Sequence, residues 1–219
     1  MPFPMRAYPA FLNLRERPVL VVGGGRVAAR KARGLLRAGA AVTVVAPALR
    51  PGFPEGVRHE ARRFKASDVV GRVLVMAATD DPAVNAAAAK AARKAGALVN
   101  IADDPAGSDF HVPSVLRRGR LTLAIATSGA SPAVAKRLRR DLARTYGPSF
   151  RVYLKVLAGL RPLILSEVPD PALRRAVFRR LARPEFAEAC AREGESGGRH
   201  AMLAVVREAA GLLAGASAR

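Results

Sequence analysis

Pro18-Val19-Leu20-Val21-Val22-Gly23-Gly24-Gly25-Arg26-Val27-Ala28-Ala29-Arg30-Lys31 is the stretch that decides the fold. Five apolar residues that stop abruptly at three glycines have the pattern of a strand buried on both faces, as in a parallel sheet. An Ala-, Leu- and Arg-rich helix follows from about Arg26 to Ala38, and Gly39 stands where it would end. The junction reads G-x-G-x-x-A. Gly23 permits the tight turn, Gly25 lets the backbone approach a pyrophosphate, and Ala28 allows the helix to pack closely on the strand. The unpaired N–H groups at the start of the helix supply the anion's partners. Flanked by a buried strand and a helix, the pattern predicts dinucleotide binding.

Further strands are expected at Val42–Val45, Val57–Phe64, Val73–Ala77 and Ala97–Ile101, with a second helix over Pro82–Ala95. Alternating strand and helix indicate an α/β, Rossmann-like parallel sheet covered by helices. Residues 48–56, broken by Pro51, Gly52, Pro54 and Gly56, are too short to hold a crossover helix, so the second half of the sheet departs from a standard doubly wound unit. From Phe110 the pattern changes. Two strands, Phe110–Arg117 and Leu121–Ala126, flank a turn at Gly119, and Ser131-Pro132 opens a helix to Tyr146 with Ser131 as its N-cap. Beyond Gly147-Pro148 the chain reads as helices separated near Pro169–Pro171, Pro184 and Gly194–Gly198. The expected division is a dinucleotide domain over 1–112, a strand–strand–helix connector over 113–147 and a small helical domain over 148–219.

Composition narrows the class. The 219 residues hold 37 Lys plus Arg against 17 Asp plus Glu, a formal charge of +20. Such a charge attracts polyanions, whether nucleic acid, acidic lipid or a polycarboxylate. Against that, 31 of the basic residues are Arg in an Ala-rich chain, a bias that explains the excess equally well. Cys190 alone cannot make an intrachain disulfide or a thiolate zinc cluster, and no His spacing suggests a metal site. Lys155 and Arg161 interrupt the best apolar run, and Met1 to Arg17 lacks the apolar core of a signal peptide. A cytoplasmic protein without membrane or nucleic-acid attachment is the expectation.

Four more segments bear on the site. The Asp or Glu expected about 20 residues after the glycines, to bond an adenosine ribose, is replaced by Ala46-Pro47-Ala48, with Arg50 nearby; backbone groups around Pro47 can hold the ribose, so NAD is preferred and NADP stays open. Thr79, past the fourth strand, lies where ligands bind in such sheets, and Asp80 or Asp81 would cap the next helix. Asp103, in Asn100-Ile101-Ala102-Asp103-Asp104-Pro105, would bring a partly buried carboxylate to the same crevice as a general base; a plain turn explains it equally well. Thr127-Ser128-Gly129-Ala130-Ser131-Pro132 could hold carboxylates, or be an ordinary capped helix start. His111 lies close in sequence to the Asp103 loop.

In combination these segments resemble the precorrin-2 dehydrogenase/sirohydrochlorin ferrochelatase family, the N-terminal module of siroheme synthases. The resemblance rests on the glycine stretch through Lys31-Ala32, Ala77-Ala78-Thr79-Asp80-Asp81, Val99 to Asp104, Phe110-His111-Val112-Pro113-Ser114 and Thr127 to Pro132, in order, and runs from about Tyr8 to Tyr146. It implies NAD-dependent dehydrogenation of precorrin-2 to sirohydrochlorin, in some members followed by ferrous iron insertion, and a homodimer built through the region after the fifth strand. It implies further that Asp103 is catalytic, that Arg26 and Val27 contact the cofactor at the glycine loop, and that Pro47 and Ala48 do so on the ribose side. Precorrin-2 is a polycarboxylate, which a basic cleft would suit. Two rival readings remain at this point. An NAD(P)-sensing regulator would bind cofactor without turnover; a nucleic-acid binder would show steeply salt-dependent affinity, although aromatics are only 5% of residues.

Overall fold

A computed structural model of the chain describes the backbone of residues 7–217 and the side chains of 7–211. Residues 1–6, the start of the Met1–Arg17 stretch without a signal-peptide core, lie outside that range, as do 218–219. The described residues form two compact units, divided between Val112 and Pro113.

The first unit contains β1 (Pro18–Val22), α1 (Arg26–Arg37), β2 (Ala41–Val45), β3 (Arg58–Glu60), a 3-10 turn (Ala66–Val69), β4 (Leu74–Ala77), α2 (Pro82–Lys94) and β5 (Leu98–Ile101). The strands are all parallel in the order β3-β2-β1-β4-β5. β1 is central because it is apolar throughout and can be buried on both faces. Val19 and Val21 pack with Ala28, Ala32 and Leu35 of α1, whereas Leu20 and Val22 pack with Ala88, Ala89 and Ala92 of α2. Each such Val or Leu contributes about 1.5–3 kcal/mol by leaving water, and the alanines let both helices lie close to the sheet.

The departure from a standard doubly wound unit is confined to the connections. No helix joins β2 to β3, and a 3-10 turn precedes β4, yet the strand order is that of a dinucleotide fold. The third strand, expected over Val57–Phe64, forms only at Arg58–Glu60. The chain leaves the sheet there because Arg62 turns to clasp Asp68 through both guanidinium nitrogens, at 2.7 and 3.0 Å, while the Lys65 N–H donates to the same carboxylate at 2.8 Å. The Arg62 hydrogen bond, foremost, holds the Asp68 carboxyl below the ordinary carboxylate range. Its share of stability is therefore present above the unfolded value and lost as pH falls through the lowered one. In acid unfolding followed by circular dichroism, Asp68→Asn should be the less stable protein at neutral pH and should lose less stability than wild type below about pH 4.

The second unit holds β6 (Ser114–Arg118) and β7 (Leu121–Ile125), an antiparallel hairpin closed at Gly119, then α3 (Pro132–Thr145), α4 (Ser149–Glu167), α5 (Pro171–Leu181) and α6 (Pro184–Ser217). The strand expected from Phe110 begins only at Ser114. Pro113 has no N–H to pair, and the Phe110 carbonyl is already taken by Asn100 at 2.8 Å. Ser131 caps α3 as expected, its hydroxyl accepting from the Val134 N–H at 3.2 Å. The helical core gathers Tyr153, Val156, Leu160 and Ile164 of α4 with Leu181, Phe186, Cys190, Met202 and Val206. Within it the Tyr153 hydroxyl donates to the Leu181 carbonyl at 2.7 Å. The break expected at Gly194–Gly198 is a kink at Gly194 alone (φ 70°, ψ −158°). Among the described residues no helix is long and apolar enough to cross a membrane.

Candidate functional site

Parallel strands place all their carboxyl ends at one edge. Along that edge stand the Ala46–Ala48 loop after β2, the glycine loop after β1, Thr79 after β4 and Asp103 after β5. The chain reverses direction across the sheet between β1 and β4, the position where open α/β sheets form their binding crevice.

Each of the three glycines does something different. Gly23 has φ 117°, donates to the Val45 carbonyl at 3.0 Å, and a Cβ there would run into the Ala78 carbonyl. Gly24 packs against the Ala48 carbonyl with Ala46 Cβ 3.1 Å from where its own would stand, and its carbonyl accepts from the Arg50 N–H at 3.0 Å. These two fasten together the ends of β1, β2 and β4. At Gly25 a Cβ would meet nothing within 4 Å. Gly25 is also the N-cap of α1 with no side chain bonded to the helix start, so the first N–H groups of α1, beginning at Arg26 and Val27, face open space unpaired. Ala28 behind them is fully buried. An open helix terminus without a cap and without an acidic side chain in its first turn fits a pyrophosphate.

The flanks are less uniform than the sequence suggested. Ala46 is buried, and both its backbone groups are used internally: its carbonyl is bonded by His59 Nε2 at 2.9 Å, and its N–H donates to Glu60. Pro47 and Ala48 are the exposed residues of that loop. The hydroxyl of Thr79 is engaged with the Asn85 amide at 2.9 Å and the Asp81 carbonyl at 3.0 Å. Buried Asn85 also accepts from the Thr79 N–H and donates to its carbonyl. It fixes this turn, a role that nothing in its helical position signalled. Asp81, as expected, caps α2, accepting from Ala83 and Val84.

The adjacent Asp103 and Asp104 are sharply divided. Asp104 is exposed but bonded within its own loop, its carboxylate accepting the Gly107 N–H at 2.9 Å while its carbonyl takes the Ser108 hydroxyl at 2.7 Å. Asp103 is exposed rather than partly buried, has φ 61°, and among the described residues its carboxylate makes no hydrogen bond. Left-handed backbone at a non-glycine residue is strained, although Asp tolerates it better than most. Such strain collects at functional positions. A carboxylate held free at the crevice edge can accept a proton.

Lys31, on α1, is a residue that the sequence pattern did not single out. Its ammonium donates to the Asn100 amide oxygen, and burial, then the Arg30 charge, push its pKa down while the Asp103 charge pushes it up. In the second unit the Thr127–Ser131 loop is self-closed, with Thr127 Oγ1 accepting from the Ser131 N–H and donating to its carbonyl, both at 3.1 Å. Among the described residues no group of three or more His, Cys, Asp or Glu is arranged to hold a metal.

Residues 10–114 match a family described as putative NAD(P)-binding, and residues 118–145 one described as sirohaem biosynthesis protein, central. The chain is 40% identical over 185 residues to the siroheme synthase of Methylococcus capsulatus, an alignment covering 82% of this chain and 39% of that one. With the siroheme synthase of Nitrosomonas eutropha it shares 38% identity over 190 residues, covering 84% and 40%. It thus spans about two fifths of these curated relatives. Among solved structures, SirC, a precorrin-2 dehydrogenase, superposes with a TM-score of 0.76 at 30% identity, covering 92% of this chain and 100% of SirC. The likeness extends from the glycine loop through the hairpin and the C-terminal helices, and on it the chain belongs to the precorrin-2 dehydrogenase family.

Proposed function

We propose that this protein oxidises precorrin-2 to sirohydrochlorin with NAD as hydride acceptor, in siroheme biosynthesis. The observation that carries this reading is the free, strained Asp103 carboxylate on the same sheet edge as the open, uncapped start of α1. Strands lie about 4.8 Å apart, so the carboxyl ends of β5 and β1, with β4 between them, are about 10 Å apart.

The residues present fit NAD. The N–H groups at Arg26 and Val27 would take the pyrophosphate, with Gly25 leaving room for it; Gly23 and Ala28 hold that loop in place. Pro47 and Ala48 would line the ribose, with Ala46 as their buried support, and Thr79 would bound the opposite side through a turn fixed by Asn85. Bound there, NAD supplies the acceptor for one hydride. The substrate also gives up one proton as its conjugation extends, and Asp103 is the group placed to take it. Net, precorrin-2 and NAD⁺ yield sirohydrochlorin, NADH and H⁺.

Anaerobic incubation with fresh precorrin-2 and NAD, read at the nicotinamide absorbance with NADP in parallel, tests the reading. NADH and sirohydrochlorin appearing in equal amounts support it. Cofactor binding without turnover by the folded protein would sink it in favour of a sensor. Ferrous iron added after oxidation tests chelation as a separate activity.

We place a homodimer in the same proposal. Over residues 113–147 only Leu116 and Ala135 are fully buried, and α3 exposes Val134 and Leu138, one turn apart on one face. A second copy would cover that apolar face. Sedimentation of the double variant Val134→Glu, Leu138→Glu should show a monomer where wild type is a dimer. A cytoplasmic site of action completes the reading, consistent with the lone, buried Cys190.

A further inference from the structure

Asn100 is the polar residue of β5 on the face toward α1. Its neighbour Val99 belongs to the apolar cluster on the α2 side, whereas Asn100 is buried next to residues that pack on the α1 side, Ala102 and Phe110. A buried amide must have both ends satisfied. Its Nδ2 donates to the Phe110 carbonyl, which only the NH₂ end can do, and this turns Oδ1 toward Lys31 Nζ. Lys31 lies on α1, six residues beyond the N-cap Gly25. The chain Lys31–Asn100–Phe110 thus joins the helix that begins at the glycine loop to both ends of the 102–110 segment, in which Asp103 sits.

We infer that Lys31 is a positioning residue: through Asn100 it ties the Asp103 loop to the cofactor-binding helix. The inference rests on the proposed reaction for its kinetic consequences, but the tie itself is a property of the protein without ligands. Two charged groups act on the ammonium, Arg30 from its own helix and Asp103 from the loop it restrains. Burial is the largest cause of its lowered pKa, so the folded state sheds this proton at lower pH than the unfolded chain does. Between those two values folding becomes more favourable as pH rises. Weakening of the tie at alkaline pH is then separable from unfolding, because the same deprotonation stabilises the fold while turnover declines.

The test compares Lys31→Met and Lys31→Arg with wild type, first without ligands. The Asn100 side-chain amide, followed by ¹⁵N NMR, should titrate below the ordinary lysine range in wild type and lose that titration in both variants. Amide exchange over 102–110 should quicken about tenfold or more in Lys31→Met and much less in Lys31→Arg. In turnover, Lys31→Met should lower kcat about 10–100-fold with NAD affinity within about twofold, and Lys31→Arg should recover part of the rate and move the alkaline limb to higher pH. Unchanged exchange over 102–110 in Lys31→Met overturns the tie. An unchanged kcat and alkaline limb beside an active wild type overturn its role in positioning. If wild type itself does not turn over, the proposed reaction fails, and the NMR and exchange data still decide the tie.

Discussion

Asp103→Asn is expected to fold as wild type does, to bind NAD with nearly unchanged affinity, and to lose turnover about 10²–10⁴-fold, the range of a general base. The substitution is unusually clean at this position. Asp103 holds φ 61°, a conformation that Asn accepts at least as well as Asp, so the backbone has no reason to move. No hydrogen bond among the described residues depends on the carboxylate, so none is broken. What disappears is the capacity to accept a proton. Asp104→Asn is the matched control: it changes a carboxylate that serves the loop through the Gly107 N–H, and its effect should appear first in stability. Single-turnover formation of NADH distinguishes the two. If Asp103→Asn turns over at the wild-type rate, the carboxylate is a turn residue and proton removal lies elsewhere.

Gly25→Val should leave the thermal midpoint within a few degrees of wild type and weaken NAD binding about 100-fold, close to 2.7 kcal/mol. Its backbone, at φ −80° and ψ −170°, suits any residue, and the space beside it is empty until a pyrophosphate is brought there. Gly24→Val has the same chemistry one position earlier and the opposite outcome. Its side chain would be driven into the Ala48 backbone, prising β1 from the loop after β2, so this variant should be poorly folded before any ligand is added. Thermal denaturation and calorimetric NAD titration on the pair check both. Wild-type affinity in Gly25→Val would mean that the pyrophosphate does not sit at this helix terminus.

The parallel sheet was legible because β1 and β4 are apolar throughout and β1 stops at glycine, and because Ala28 and Ala32 are small enough for α1 to lie close on the sheet. β3 was overestimated: the chain was read as continuing to Phe64, and the Arg62–Asp68 clasp explains why it leaves the ladder after Glu60. The site was half legible. The glycine pattern marked Gly23 and Gly25 and gave them different tasks, and the resemblance marked Asp103, but two successive aspartates carry no local sign of which one bonds within the loop and which one stays free. Lys31 and Asn100 stand 69 positions apart, one on a basic helix and one at a strand end, and no periodicity relates them. Asn85 was hidden likewise, as a polar residue in an Ala-rich helix that looks solvent-facing until the Thr79 turn folds over it.

The Asp103 loop also guards the protein against its own copies. Every open sheet has two outer strands whose unpaired backbone invites another strand to add on. On one flank β3 is three residues long and reads Arg58-His59-Glu60, too short and too charged to template anything. On the other, β5 ends in Leu98-Val99-Asn100-Ile101, a stickier sequence, and the returning loop seals it. Asp109 exchanges bonds with Val99 at 2.8 and 2.9 Å, Ser108 takes the Ile101 N–H, and Arg93 anchors Asp109 from α2. The segment that carries Asp103 therefore also covers the β5 backbone at which another strand would add. A lineage that loosened this loop to admit a different substrate would have to find another way of staying in solution.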